Sequence, residues 1–145
     1  MRNAAVKFTA NIQSSRASSV SASGRASIVN IASELALVGQ VDYSVYCATK
    51  GAVLAWSRAL SLELAGRRIR VNAVCPGPID TPLLQDEFAT NGDPQGARDA
   101  EVAGIPLGRL GHPADIASVV AFLAGDAAAF VTGAAWTVDG GKTAR

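Results

Sequence analysis

The chain is short of the side chains from which many active sites are built. Its 145 residues include two cysteines, Cys47 and Cys75, and a single histidine, His112. Two cysteines are too few for a disulfide framework, and neither has the spacing of a metal ligand. One histidine leaves almost no raw material for a serine–histidine–aspartate triad or a zinc site. Because both cysteines lie in apolar segments, we expect them to be small buried hydrophobic residues.

Charge and long apolar runs are scarce as well. Charged residues make up 17% of the chain, and the formal net charge is +1. We therefore predict neither nucleic acid nor an anionic membrane as a partner, and the close arginines Arg67, Arg68 and Arg70 indicate a solvated turn. No apolar run reaches the roughly 18 residues of a membrane span.

Acidic residues are absent from residues 1–31, where arginine and serine recur. Such a composition is typical of an organelle transit peptide. The alternative, which we favour, is a helix with the sequence AAVKFTANIQ followed by a polar loop. A strand follows directly, and it needs a preceding element to pack on.

Strand-like and helix-like segments alternate along the rest of the chain. In order, we predict a strand at 26–33, a helix at 44–65, a strand at 68–77, an irregular surface segment with short helices at 82–104, a helix from Pro113 and a strand before Gly140 and Gly141. Helices between continuous apolar strands imply a parallel sheet, whose ligands bind beyond the carboxyl ends of the strands. Those ends carry Ser33, the loop 76–81 and the turn 139–141.

Tyr46 and Lys50 are the first candidates for chemistry, because residues four apart share a face of a helix. A phenol is a poor proton donor at neutral pH, but a nearby ammonium favours the phenolate and suits the tyrosine to acid–base catalysis. The small neighbours Ala48 and Gly51 leave room for a flat cofactor or substrate. The alternative is a surface tyrosine packed on a lysine stem, and the spacing alone leaves both open.

Two further features belong to the same crevice. A serine hydroxyl at a strand end, such as that of Ser33, can donate to a developing oxyanion, or it can cap its own backbone. The loop PGPIDT at 76–81 offers a glycine for close backbone approach and a threonine hydroxyl, but it could also be a plain turn.

Taken together, these motifs resemble the short-chain dehydrogenase/reductase family. The stretches SIVNIAS, YCATKGAV, IRVNAVCPGPIDTPL, IPLGRLGHPADIASVVAFLAGDAAAFVTG and VDGG occur in the family's order and spacing over residues 27–142. The nearest types are bacterial 3-oxoacyl-carrier-protein reductases and sugar or steroid dehydrogenases. The resemblance implies a cytoplasmic α/β protein with part of a Rossmann-type doubly wound parallel sheet, its last three strands and flanking helices, within one domain over 1–145.

The resemblance also implies a reaction, namely reversible hydride transfer between NAD or NADP and a small carbonyl or alcohol substrate. Tyr46 would be the catalytic acid and base, Lys50 would activate it and hold the nicotinamide ribose, and Ser33 would polarise the substrate carbonyl. Residues 83–104 would form the substrate-covering loop. The residues implied at the nicotinamide end of the cofactor are Tyr46, Lys50, Pro76, Gly77, Ile79 and Thr81, with the Ile79 backbone and the Thr81 side chain at the carboxamide.

The amino-terminal part of the family pattern is missing. No glycine-rich pyrophosphate-binding turn precedes the first strand, and the residue that selects NAD or NADP and the Asn-Ala-Gly turn are absent too. Only Asn3 stands near the place of the family's catalytic asparagine, at a slightly long spacing. We therefore expect the carboxyl-terminal half of such an enzyme, with an exposed edge on the first strand and a marginally stable, oligomeric or aggregation-prone chain.

Three interpretations follow from that missing part. The chain is a truncated member of the enzyme family, or a non-catalytic chain that associates with full-length family subunits, or an intact enzyme with a rebuilt cofactor site. The second could use four apolar residues of the helix at 44–65, although we favour their burial within the same chain. These residues are Leu54, Trp56, Leu60 and Leu64.

Overall fold

The structure is a computed structural model that describes residues 26–144. In chain order its elements are strand β1 (Ala26–Ile31), a 3-10 helix (Glu34–Ala36), helix α1 (Ser44–Ala65), strand β2 (Ile69–Pro76), helices α2 (Pro82–Ala89), α3 (Pro94–Ala103) and α4 (Pro113–Ala124), a second 3-10 helix (Asp126–Ala128) and strand β3 (Ala135–Val138). The predicted alternation of strands and helices is confirmed over these residues. The helix predicted near the start of the chain, and Asn3 just before it, lie outside them.

The three strands form one parallel sheet in the order β1-β2-β3. In its register Ile31 pairs with Val74, and Val74 pairs with Trp136. The central strand is the most buried, since Val71, Val74 and the residues between them are fully inaccessible to solvent. A sheet with a central apolar strand and only parallel pairs confirms the predicted α/β class.

Helices cover both faces of the sheet. On one face the Asn30 amide donates to Ser57 of α1 at 2.9 Å, and on the other the Ser27 hydroxyl donates to the Leu123 carbonyl of α4 at 2.9 Å. Residues 27 and 30 point to opposite faces of β1, so α1 and α4 lie on opposite sides. The strands follow one another across the sheet in chain order, while α1 and α4 lie on opposite faces. The connections β1-α1-β2 and β2-α4-β3 therefore have opposite hands, so one of them is left-handed. About 98% of connections between parallel strands are right-handed.

The α4 side of the sheet holds the apolar core. Val74, Leu123 and Ala128 are fully buried at its centre, and Val29 and Trp136 pack against them. Buried aliphatic and aromatic surface of this kind supplies most of the stability of a small domain.

Arg70 differs from the prediction of a solvated arginine turn. Arg67 and Arg68 are exposed, as expected, but Arg70 lies within β2. Its guanidinium donates to the carbonyls of Leu123 at 2.7 Å and Gly125 at 3.0 Å. The prediction is wrong for Arg70 because the strand turns its side chain toward the last carbonyls of α4, which have no partner inside the helix.

The segment predicted to be an irregular surface excursion consists mainly of two short helices. Each begins with a proline, which suits the first helical position, and each follows a side-chain cap. Thr81 caps α2, and Asp93 caps α3 by accepting from Gly96 at 3.0 Å. Neither helix contains a buried residue, and at 8 and 10 residues both are short, which makes them hard to recognise from sequence alone.

Several smaller predictions can be checked in the described part of the chain. Cys75 is buried as predicted, whereas Cys47 is only half-buried. Leu54 is buried, but Trp56 on the same helix is 42% exposed.

Among the described residues, no helix is long and apolar enough to cross a membrane, and no group of histidine, cysteine or acidic side chains is arranged to hold a metal ion.

Candidate active site

The carboxyl ends of the three strands meet at one edge of the sheet. Ser33 follows β1, Pro76 ends β2, and Asp139 follows β3. The N–H of Gly77 donates to the Val138 carbonyl at 3.0 Å. A Cβ atom on Gly77 would lie 2.7 Å from the Cα of Asp139, so a side chain has no room there. This glycine is therefore required for the close approach of two strand ends.

Ser33 is buried at this edge, with 8% of its surface exposed. Its Oγ accepts from the N–H of Leu35 at 3.2 Å and caps the 3-10 helix that follows β1. That bond uses only a lone pair of the oxygen, so the hydroxyl proton remains available for another acceptor. The capping role and the proposed donor role are thus compatible in one side chain.

Tyr46 and Lys50 lie in the first turns of α1, and the Lys50 side chain reaches the end of β1. The Nζ of Lys50 lies 5.7 Å from the centre of the Tyr46 ring and donates to the carbonyl of Ile31 at 3.2 Å. Ile31 stands two residues before Ser33, so this bond fastens the helical pair to the strand end that carries the serine. Burial lowers the pKa of Lys50 below its usual range. Tyr46 itself is 38% exposed.

The loop after β2 is held by a short parallel bridge between Ile79 and Gly111. Asp80 donates to the Gly111 carbonyl at 2.8 Å, and Gly111 donates to the Pro78 carbonyl at 2.9 Å. In such a bridge the central residue turns its own N–H and C=O the other way. Both backbone groups of Ile79 accordingly have no hydrogen-bond partner in the described part of the chain. They are available to a ligand.

Thr81 follows as the N-cap of α2, where its hydroxyl oxygen accepts from the N–H of Leu84 at 3.5 Å. A cleft of about 150 Å³ opens beside this loop at the ends of β2 and β3. Its lining residues are Pro78, Ile79, Leu107, Arg109, Gly111, Asp115, Val138, Asp139 and Gly140. The structure thus divides the predicted site residues into two groups, one around the end of β1 and one around the end of β2.

One part of this edge was not predicted from the sequence. Glu34, next to Ser33, is 4% exposed and pairs with Lys142 at 3.2 Å between Oε1 and Nζ. Lys142 also pairs with Glu101 on α3. Burial raises the pKa of Glu34, while the charge of Lys142 acts in the opposite direction. The sequence feature that could have pointed to Glu34 is its position directly after a serine at a strand end.

A family comparison agrees with this geometry. Residues 3–143 match the family model described as enoyl-(acyl carrier protein) reductase. A crystal structure of a short-chain dehydrogenase family protein from Francisella tularensis superimposes with a TM-score of 0.81 at 35% identity, covering 84% of this chain and 52% of that one. The chain belongs to the short-chain dehydrogenase/reductase family.

Among curated family members, the chain is 45% identical over 121 residues to 2-(S)-hydroxypropyl-CoM dehydrogenase 3 of Xanthobacter autotrophicus, covering 83% of this chain and 47% of that protein. It is 42% identical over 115 residues to the 3-oxoacyl-(acyl-carrier-protein) reductase FabG of Thermotoga maritima, covering 79% and 44%. A further relative from Xanthobacter autotrophicus is named inactive 2-(S)-hydroxypropyl-CoM dehydrogenase 2. It is 43% identical over 121 residues, which cover 83% of this chain and 52% of that protein. The chain spans about half the length of these dehydrogenases and reductases.

Proposed function

We propose that this family member is an oxidoreductase that interconverts a small carbonyl compound and its alcohol with NAD or NADP. The observation that carries the proposal is the position of Lys50, whose ammonium lies between the Tyr46 ring and the strand end that holds Ser33. A tyrosine and lysine that merely packed together on a helix surface would not need this bond to the sheet.

Each of the three side chains has a distinct role in the proposed reaction. In the reducing direction the Tyr46 phenol gives its proton to the oxygen of the substrate carbonyl, and in the other direction the phenolate takes it back. The Ser33 hydroxyl donates a hydrogen bond to the same oxygen and stabilises the negative charge that develops there. The Lys50 ammonium stabilises the phenolate by its charge.

The residues at the nicotinamide end fit a dinucleotide. NAD or NADP supplies the hydride chemistry, which no amino-acid side chain can provide. The free backbone groups of Ile79 match the donor and acceptor of a carboxamide, and the Thr81 hydroxyl follows directly. In this proposal Lys50 also holds a ribose hydroxyl of the cofactor.

The test is a titration of the purified chain with NADH and then NADPH, followed by nicotinamide fluorescence. We expect saturable binding that weakens in Lys50→Met. Where turnover of a carbonyl substrate is measurable, Tyr46→Phe should lower it by about 10²–10⁴-fold. Tyr43→Phe is the matched control, since it removes the same hydroxyl three residues away and should leave turnover unchanged. Folded protein without binding of either nucleotide would contradict the proposal.

A second candidate is a non-catalytic subunit that associates with longer chains of the family. Exposed apolar side chains on α1 favour it, because Val45 is 76% and Leu62 81% exposed. Such residues are typical of surfaces that contact another protein. Co-purification with a longer family member, with no nucleotide binding by this chain alone, would favour this candidate over the first.

A further inference from the structure

Helices α2 and α3 have no apolar anchor of their own, and the buried Ile105 follows just after α3. Neither α2 nor α3 has a buried residue, and they pack chiefly on each other. Segments with few buried apolar contacts open at low free-energy cost. Within residues 26–144, two ion pairs attach α3 to other elements. Arg98 pairs with Asp80 at 3.4 Å, and Glu101 pairs with Lys142.

Lys142 is itself held firmly just beyond β3. In the turn that precedes it, the Asp139 carboxylate accepts from the Gly141 N–H at 2.9 Å and from the Thr143 hydroxyl at 2.6 Å. The side chain of Lys142 is only 18% exposed. Although burial acts in the opposite direction, the bonds to Glu101 and Glu34 raise the pKa of Lys142. This ammonium is therefore a fixed and persistent charge.

The second partner of Lys142 connects the cluster to the candidate catalytic serine. Glu34 lies in the 3-10 helix whose first N–H groups Ser33 caps, and its side chain is 6% exposed. Its other oxygen, Oε2, is buried without a hydrogen-bond partner among the described residues. A buried carboxylate with one free oxygen depends strongly on its single cation. Loss of Lys142 would therefore release the turn that holds the Ser33 hydroxyl.

We propose that Lys142 is a positioning residue that fastens the covering helix α3, through Glu101, and the Ser33 turn, through Glu34, to the end of β3. One ammonium thus holds the cover and the strand-end serine in a single arrangement. That this arrangement serves catalysis rests on the proposed function, together with the family resemblance that makes residues 83–104 the substrate-covering loop. The attachment itself does not depend on it.

The experiment is hydrogen exchange of the full chain, read for α3, the turn at 34–38 and α4. In Lys142→Met we expect amide hydrogen exchange to become about tenfold faster in α3 and in the turn, and to stay unchanged in α4. The reason is that loss of the hydrogen bonds to the charged ammonium makes local opening of both segments easier. Lys142→Arg keeps the charge and should restore slow exchange in both. Glu101→Gln should loosen α3 and leave the turn as it is.

Asp99→Asn is the matched control for Glu101→Gln. It removes one negative charge from the same helix and should leave exchange unchanged, because the Asp99 side chain bonds only to Gln95, at 2.8 Å, among the residues that the structure describes. Unchanged exchange in Lys142→Met, or equal acceleration in α4, or failure of Lys142→Arg to restore protection, would overturn the proposal. None of these readouts needs a nucleotide. Failure of nicotinamide binding with the exchange pattern intact would contradict the proposed function alone.

Discussion

At the scale of single residues, Asp115 combines two structural tasks at the start of α4. Its carboxylate accepts from the backbone N–H of His112 at 2.7 Å and from the Arg109 guanidinium at 2.8 and 3.1 Å. Arg109, followed by the His112 N–H, lowers the pKa of Asp115 from 3.8 to about 2. A carboxyl with a depressed pKa stabilises the folded state only while it is ionised.

Asp115→Asn should therefore destabilise the fold at neutral pH, and the difference from wild type should shrink on acidification. The sign follows from linkage. The contribution of Asp115 is complete above the unfolded value of 3.8 and is lost as the pH falls toward about 2. Urea unfolding of both proteins across this window measures the difference. A difference that is constant with pH would show that the carboxylate charge has no part in it.

Gly77 provides a steric prediction at the candidate site. Gly77→Ala places a methyl group 2.7 Å from the Cα of Asp139, and backbone atoms cannot move aside as a flexible side chain can. We expect a loss of about 1–3 kcal/mol in the free energy of unfolding. Gly51→Ala in α1 is the control, because its new Cβ meets nothing within 4 Å and alanine favours the helix. Equal stability of the two variants would contradict this account of Gly77.

At the scale of elements, Arg70 joins strand β2 to helix α4. Its guanidinium donates to the carbonyls of Leu123 and Gly125, which end the helix, and also to Val131 at 3.4 Å. Arg70→Met keeps most of the apolar stem but removes all of these donors. We predict a loss of about 1.5–3 kcal/mol, the usual cost for hydrogen bonds to a charged group, measured by urea unfolding.

Arg67→Met is the control for that measurement. Arg67 has the same side chain and lies three residues earlier, but it is exposed and its side chain makes no hydrogen bond or ion pair within the described residues. We expect no more than a small change there, since exposed substitutions of this kind have little effect. If Arg67→Met were as destabilising as Arg70→Met, a general loss of positive charge would explain both.

The elements also show which features a sequence can reveal. The bounds of α1 follow from apolar spacing over many turns and from Gly66, and they match the prediction. The ends of β1 and β2 shift by two residues or fewer from prediction, because strand ends depend on pairing. Helices α2 and α3 were less clear, since at 8 and 10 residues they are short and bury no residue.

The candidate site divides in the same way. Tyr46, Lys50 and Ser33 could be named as candidates from the sequence because a helical spacing and a strand end are local features. The bond from Lys50 to Ile31 and the cluster of Lys142 with Glu34 and Glu101 could not. They join residues far apart in the chain, which only the folded topology brings together.

At the scale of the whole molecule, β1 is an edge strand of the sheet that the described residues form. The N–H of Ala26 donates at 3.4 Å to the Arg68 carbonyl, just before β2, and the N–H of Ala32 donates at 2.8 Å to Val74 in β2, so those of the odd-numbered residues between them turn to the opposite edge. Among the described residues no strand pairs there, and Lys50 satisfies the carbonyl of Ile31. The outward backbone groups of Ser27 and Val29 can therefore pair with a strand of another chain.

We predict that the chain self-associates through this edge and that Ser27→Pro weakens the association. Proline removes the outward N–H but not the bonds to β2, and it is tolerated on edge strands. Ser27→Ala is the matched control. Both variants lose the hydrogen bond from the Ser27 hydroxyl to the Leu123 carbonyl, which still accepts from Arg70. Only the proline variant also loses the backbone N–H that points to this edge. Light scattering during size-exclusion chromatography should show wild type and Ser27→Ala as oligomers and Ser27→Pro shifted toward the monomer. Identical masses for the two variants would place the association on another surface, with the exposed side of α1 as the next to be altered.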